Sequence, residues 1–221
     1  MLFYSFRFLI FLPIVFAAYW WLLRARLTRR IFLLLASYAF YMSWNPKLIL
    51  LLWGSTTIDY FSVRAMGRVK SQTTRRVLLA ASIIFNLGIL ALFKYANFLL
   101  DNAGVIAARL GSGWHPSHVS IVLPLGISFY TFETISYVVD GYYGRYEPCK
   151  TLADYGLFIS FFPHLIAGPI VRPKQFLPQI EKEKTLTPDA ISIGVSYFLY
   201  GLVKKLVIAD GLSRTADAVF A

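Results

Sequence analysis

Long apolar runs separated by short polar segments dominate this sequence. The runs cover residues 8–23, 31–44, 48–63, 77–93, 119–139, 152–171 and 190–209. A helix needs about 17–25 largely apolar residues to cross the hydrocarbon core of a bilayer, and several of these runs reach that length. The pattern predicts an all-α membrane protein that crosses the bilayer several times. We expect the span 77–93 to end at Lys94 and the more polar residues 95–110 to form a separate helix at the interface.

Basic residues are concentrated in the first third of the chain. Residues 1–76 hold 11 of the 22 lysines and arginines but a single acid, Asp59, and the formal net charge of the chain is +11. These charges lie between apolar runs, in short loops of the kind that stay in the cytoplasm, so they indicate topology and not a nucleic-acid surface. If residues 24–30 and 64–76 both face the cytoplasm, the chain must turn between them at Asn45-Pro46. Asp59 is then expected near the cytoplasmic end of its helix.

The amino-acid composition excludes further classes of protein. Only 15% of the residues are charged, whereas about 25% is usual in a soluble domain. The single Cys149 excludes a disulfide framework. His115 and His118 are three residues apart, but Pro116 lies between them and no third ligand is close in sequence, so no metal site is predicted.

The run 119–139 carries a carboxylate at a depth where charge is costly. Glu133 lies near its middle third, and an ionised side chain inside the bilayer costs at least about 2.5 kcal/mol on insertion scales. Glu133 must therefore face protein or water. Two interpretations stay open: a carboxyl group hydrogen-bonded to neighbouring helices, or part of the wall of a substrate path.

The run 152–171 is almost wholly apolar but contains residues that interrupt a helix. These residues are Pro163, Gly168 and Pro169. Proline removes a backbone donor and clashes with the preceding turn. We therefore predict a broken helix whose break is buried in protein or lines a wet cavity, because lipid cannot satisfy freed backbone groups. His164 lies at the break, either packed against freed carbonyls or in contact with a ligand. Arg172 follows, either holding an anionic group or extending to the interface.

Several stretches of the chain together resemble a known family. They read LPLGISFYTFETISYVVDGYYG at residues 123–144, LADYGLFISFFPHLIAGPIVRPKQFLPQI at 152–180 and YGLVKKLVIAD at 200–210. The opening helices add SYAFYMSWNPKLILLL at 37–52 and FKYANF at 93–98. These motifs resemble the membrane-bound O-acyltransferases, in the branch that acetylates exported bacterial polysaccharides such as alginate. The likeness covers essentially the whole chain.

The resemblance implies part of a ring of tilted helices around a funnel, in the bacterial inner membrane. There a cytoplasmic acyl donor would meet a polysaccharide acceptor, and other polysaccharide-acetylation proteins are candidate partners beside the lipid bilayer. The chain's own residues expected to shape the cavity are Glu133, Pro163, His164, Gly168, Pro169 and Arg172.

One part of the family pattern is missing from these residues. The family's hallmark histidine lies in a Trp-His segment preceded by an Asp-Phe-Ser-Gly-Tyr block, and that combination does not occur here. We therefore expect the catalytic residue beyond Ala221 and no turnover by this chain alone. No bound cofactor and no metal are expected, and the acyl donor stays open.

Two other classes of function remain. Broken helices and intramembrane acids also mark the substrate sites of transporters, so a component of a polysaccharide or lipid transporter or flippase is one alternative. The inverted hydropathy symmetry typical of many transporters is not found between the two halves. A non-catalytic membrane scaffold that recruits polysaccharide-modifying partners is the other alternative.

Overall fold

The computed structural model describes residues 5–114, 116–165, 168–182 and 185–220, and every regular element in these ranges is helical. The helices are α1 (Phe6–Ala17), α2 (Arg26–Met42), α3 (Ile49–Arg68), α4 (Gln72–Arg109), α5 (Ile127–Tyr142), α6 (Leu152–Ser160), α7 (Phe162–Leu165), α8 (Pro173–Glu181), α9 (Pro188–Val203) and α10 (Asp210–Phe220). A π-helical turn, Ala18–Leu22, extends α1, and a 3₁₀ turn, Pro46–Leu48, precedes α3. The expected all-α fold is confirmed. Residues 1–182 form one compact unit and residues 183–221 a second.

Within the described ranges, two helical runs are long and apolar enough to cross a bilayer. One is α4, and the other is the continuous run Pro188–Phe220. Large apolar side chains on α4, such as Ile84 and Leu92, are exposed. Exposed apolar surface on this scale is typical of a membrane or partner interface. The chain is thus an all-α membrane protein.

The second unit is a helical rod with one irregular turn. The Thr187 hydroxyl accepts a hydrogen bond of 3.2 Å from the N–H of Ala190, and Pro188 occupies the first turn, so α9 begins at a capped N-terminus. Lys204 and Lys205 open a π-helical turn, Lys204–Ala209, that leads into α10. Lys205 pairs there with Asp210.

The chain reverses between α2 and α3 at Asn45-Pro46, as predicted. The side-chain oxygen of Asn45 accepts a hydrogen bond of 3.1 Å from the N–H of Lys47. Pro46 occupies the first position of the 3₁₀ turn, where its missing N–H leaves no bond unmade. The two helices are therefore joined by a short, capped turn.

The basic segments 24–30 and 64–76 lie at the same end of the first unit. Arg30, in the first turns of α2, pairs with Asp154 at the start of α6 at 2.9 Å. Arg64, near the end of α3, donates a hydrogen bond of 3.1 Å to the carbonyl of Lys150. Because Lys150 and Asp154 belong to the same short stretch, Arg30 and Arg64 lie near the same end of the first unit.

α4 continues through the position where a span was expected to end. It runs for 38 residues, about 57 Å at 1.5 Å per residue, so the separate interfacial helix expected over residues 95–110 is wrong. No proline lies in that stretch, and Lys94 stays in the helix with its ammonium 3.2 Å from the Ser128 hydroxyl. Because the hydrocarbon core is about 30 Å thick, α4 is longer than a crossing along the bilayer normal requires.

The run 119–139 is helical only from Ile127. Gly126 adopts a left-handed φ of 72° just before the helix, which favours glycine. The preceding segment lies along α4, where the N–H of Val119 donates to Asn97 Oδ1 at 2.9 Å and Asn97 Nδ2 donates back to the Val119 carbonyl at 3.1 Å. The apolar composition of residues 119–126 did not reveal that this segment is non-helical.

The predicted break within residues 152–171 is confirmed. α6 ends at Ser160, Phe161 leaves the helical region with ψ of 108°, and α7 covers Phe162–Leu165. The N–H of Phe162 that the break frees donates to the Ser37 hydroxyl of α2 at 3.3 Å. A neighbouring helix thus supplies the partner that lipid could not.

Cys149 is a single-site reporter of packing in the connection between α5 and α6. It is 7% exposed, and burial raises the pKa of its thiol to about 12. Because the thiolate is the reactive form, we expect iodoacetamide at pH 8 to alkylate it about a hundredfold or more slowly in the folded than in the unfolded protein. The rate should still rise above pH 10, where an exposed thiol has levelled off. Timed labelling with mass spectrometry measures both.

A matched control places the thiol on the exposed side of the same connection. In a Cys149→Ser, Glu147→Cys variant the new thiol should react at the rate of an unfolded chain, because Glu147 is exposed. Equal rates at the two positions would contradict the packing around Cys149.

Candidate functional site

Glu133 and His164 meet inside the first unit, one from α5 and the other from α7. Nε2 of His164 lies 3.4 Å from Oε2 of Glu133, and the two side chains are 10% and 4% exposed. This separation suits an ion pair but exceeds the 2.7–3.2 Å of an ordinary N–H···O hydrogen bond. Two of the predicted site residues are thus adjacent and enclosed by protein.

Aromatic rings and the chain after the break enclose the His164 imidazole. Its ring centroid lies 5.6 Å from that of Phe161 and 5.5 Å from that of Phe176, the latter at an interplanar angle of 88°. Phe176 belongs to α8. The backbone of Val171 also faces the Glu133 carboxyl group. The stretch that follows the break therefore returns over the pair and closes the site on that side.

Gly168 allows this return. Its N–H donates a hydrogen bond of 2.9 Å to the carbonyl of His164. A Cβ atom at position 168 would lie 2.5 Å from the Cα of His164 and 2.8 Å from its carbonyl oxygen. Only glycine fits so close an approach, so this predicted site residue acts through its backbone.

The other three predicted residues are not brought to the pair. Pro163 lies within α7 and Pro169 follows Gly168, and both are exposed. Arg172 is exposed as well, and its backbone precedes α8 as the N-cap. A role of these three side chains in a cavity stays a prediction.

Buried polar atoms without a hydrogen-bond partner among the described residues gather along the inner face of α5. They are Oε1 of Glu133, Nε2 of His164 and the hydroxyl oxygens of Tyr41 and Tyr130. Tyr130 is one helical turn before Glu133, and the Tyr41 hydroxyl is close enough to that of Tyr130 for the two to interact electrostatically. Each unpaired buried group costs about 1–3 kcal/mol. The arrangement is therefore suited to binding water or a polar ligand.

The histidines of the loop after α4 give no comparable site. His118 Nε2 lies 2.7 Å from Asp101 Oδ1 at the exposed surface, and His115 lies outside the described residues. Within the described ranges, no group of three or more His, Cys, Asp or Glu side chains is placed to hold a metal ion.

A second buried polar cluster surrounds Asp59. The expected position near the end of its helix is wrong, because Asp59 lies in the middle of α3 and is fully buried. Its carboxylate accepts hydrogen bonds from the Ser82 hydroxyl and from Asn86 Nδ2, the latter at 2.9 and 3.0 Å. α4 thus supplies the donors that allow a carboxylate to be buried.

Asn86 connects this cluster to two further residues. Its Oδ1 accepts hydrogen bonds from the Ser55 hydroxyl of α3 at 2.6 Å and the Thr134 hydroxyl of α5 at 3.3 Å. The same network therefore links α3, α4 and α5. Sequence reasoning missed it, although Ser82 and Asn86, four residues apart in the otherwise apolar run 77–93, were a usable signal.

The sequence of this chain is similar to those of several bacterial proteins named as O-acetylases or O-acetyltransferases. A probable alginate O-acetylase of Pseudomonas aeruginosa is 39% identical over 96% of this chain, and one of Pseudomonas syringae is 40% identical over 96%. A peptidoglycan O-acetyltransferase of Helicobacter pylori is 33% identical over 95%. The chain spans 40–44% of the length of these relatives. No family model and no solved structure matches it.

The chain is thus a helical membrane protein with a buried carboxyl–imidazole pair at a helix break. It is homologous to the O-acetyltransferases among the membrane-bound O-acyltransferases, and the resemblance that its motifs indicate is confirmed.

Substitution of Gly168 should destabilise the return of the chain over His164. Gly168→Ala forces a methyl group against the His164 backbone, so we expect a loss of about 1–3 kcal/mol in the free energy of unfolding. Gly88→Ala is the matched control, since nothing lies within 4 Å of a Cβ there. Equal stability of the two variants in detergent would contradict the close approach.

Removal of the Asp59 carboxylate should lower the free energy of unfolding more than removal of an exposed carboxylate does. Asp59→Ala leaves the Ser82 hydroxyl and an Asn86 N–H unpaired in the core, and we expect a loss of about 2–4 kcal/mol in the free energy of unfolding. The control Asp101→Ala removes a half-exposed carboxylate of α4 and should cost less than about 1 kcal/mol. Chemical unfolding in mixed micelles compares them, and losses of similar size would contradict the buried network.

Proposed function

We propose that this chain is part of a membrane O-acyltransferase that transfers an acyl group, in the first instance acetyl, to hydroxyl groups of an exported polysaccharide such as alginate. The observation that carries the proposal is 39–40% identity to probable alginate O-acetylases across 96% of the chain. That alignment takes in nearly every element of the first unit. The buried pair at the helix break supplies a polar site inside it.

In acyl transfer, the residues of this chain would have a limited role, which is to bind and orient the ligand. The acceptor oxygen attacks the acyl carbonyl carbon, the bond to the donor's leaving group breaks, and a general base takes the hydroxyl proton. We place the base beyond Ala221, as the family pattern implies. Glu133 Oε1 and the hydroxyls of Tyr41 and Tyr130 would bind and orient a hydroxyl-rich ligand, because each is a buried polar atom in need of a partner.

The proposed setting is the inner membrane of a bacterium, which the chain crosses several times. The basic segments 24–30 and 64–76 would face the cytoplasm, in keeping with the positive-inside rule. The acyl donor stays open. The proposed partners are the bilayer, the polysaccharide acceptor and other polysaccharide-acetylation proteins, and nucleic acid is not among them.

One structural observation favours the alternative of a transporter component. A broken helix with a buried carboxylate beside it is typical of substrate sites in secondary transporters. The transporter hypothesis predicts movement of polysaccharide or lipid without formation of an ester.

The decisive experiment measures acetyl transfer from a labelled donor to polysaccharide in membranes. A chain extended to the length of its relatives should form the ester, and the 221-residue chain should not. In the extended chain, Glu133→Gln should lower turnover about tenfold or more, because a charged hydrogen-bond partner is lost, whereas Glu147→Gln in an exposed loop should not. Turnover by the short chain would contradict the placement of the base, and transport without ester formation would favour the alternative.

A further inference from the structure

A basic pocket lies at the end of α3, away from the buried pair. It has a volume of about 780 Å³ and is lined by Tyr60, Phe61, Arg64, Ala65, Arg68, Val69 and Lys150. None of these lining residues is acidic. The pocket lies at the end of the first unit that carries the basic segments, where α3 meets the connection between α5 and α6.

The Arg64 guanidinium is held in a fixed position at this pocket. Its Nη1 donates to the Tyr60 hydroxyl at 2.7 Å and to the Lys150 carbonyl at 3.1 Å. Its Cζ lies 5.8 Å from the Tyr60 ring centroid, and Tyr60 is itself buried. Arginine has five N–H donors in a planar fork, so contacts through Nη1 leave others for a ligand.

Two further cations line the pocket. Arg68 is exposed one helical turn after Arg64. Lys150 contributes an ammonium that also lies 3.3 Å from Glu181 Oε1, in an exposed ion pair. Exposed pairs of this kind are worth little, so the pocket keeps a strong positive character and is complementary to an anion.

The rest of the lining is apolar. Phe61, Ala65 and Val69 share the pocket with the cations, and Phe61 is 56% exposed. A cationic site beside an exposed aromatic ring fits an amphipathic anion better than a free one, because the anion's apolar part can cover the ring. Basic pockets on the cytoplasmic side of membrane helices bind anionic lipid headgroups in this way.

We propose that this pocket binds the phosphate of an anionic phospholipid headgroup, with the acyl chains lying along Phe61. This site is independent of acyl transfer and rests only on the membrane location in the proposed function. Arg64 supplies the fixed donors, and Arg68 and Lys150 supply additional positive charge.

The test uses the full 221-residue chain in a neutral detergent. Short-chain phosphatidylglycerol, short-chain phosphatidylcholine and inorganic phosphate are titrated separately, with native mass spectrometry and thermal stability as readouts. Phosphatidylglycerol should bind and raise the unfolding temperature, and phosphatidylcholine should not. An Arg64→Gln, Arg68→Gln variant should bind phosphatidylglycerol about tenfold or more weakly.

A matched variant removes the same charge from the same end of the unit. Lys70 and Arg76 are exposed and do not line the pocket, so Lys70→Gln, Arg76→Gln should retain binding. Slow alkylation of Cys149 verifies that each variant is folded, and Arg68→Gln alone replaces the double variant if that protection is lost. Equal weakening in both double variants would overturn the proposal. Binding of inorganic phosphate but not of phosphatidylglycerol would also overturn it and identify a soluble phosphate compound as the ligand.

Discussion

The fold of the first 182 residues depends on satisfying polar groups inside an apolar helical bundle. Lipid offers no hydrogen bonds, so each helix break and each buried polar side chain needs a partner from a neighbouring element. The N–H of Phe162 shows this most directly, since the Ser37 hydroxyl of α2 accepts it. Gly168 then brings the chain back to the His164 carbonyl. The break is therefore stabilised by two hydrogen bonds, one to α2 and one from the chain that follows the break.

The two buried polar clusters meet this requirement to different degrees. Around Asp59 the described residues satisfy the carboxylate and link three helices. Around Glu133 and His164, atoms remain without a partner among the described residues. A fully satisfied network fixes a packing arrangement, whereas buried polar atoms without a partner can still accept a water, an ion or a polar ligand. The first cluster therefore has a structural role, and the unpartnered atoms of the second support the binding role that we propose for it.

Sequence patterns predicted the features that depend on local chemistry. The turn at Asn45-Pro46 and the break within residues 152–171 follow from proline and glycine. The burial of Glu133 follows from the cost of charge at depth. Sequence patterns failed for features that depend on tertiary contacts. Lys94 did not end α4, and the Asp59 network forms only because α3 and α4 face each other. The family resemblance places Glu133 and His164 at the same cavity, but their direct contact was not predicted, because it depends on how α5 and α7 pack.

The central claim is that Glu133 and His164 form an enclosed, interacting pair at the helix break. A double-mutant cycle on the free energy of unfolding in mixed micelles tests it, with Glu133→Gln, His164→Asn and the double variant. We expect a coupling energy of about 1–3 kcal/mol between the two positions. Additivity within about 0.3 kcal/mol would show that the two side chains do not interact and would contradict the account.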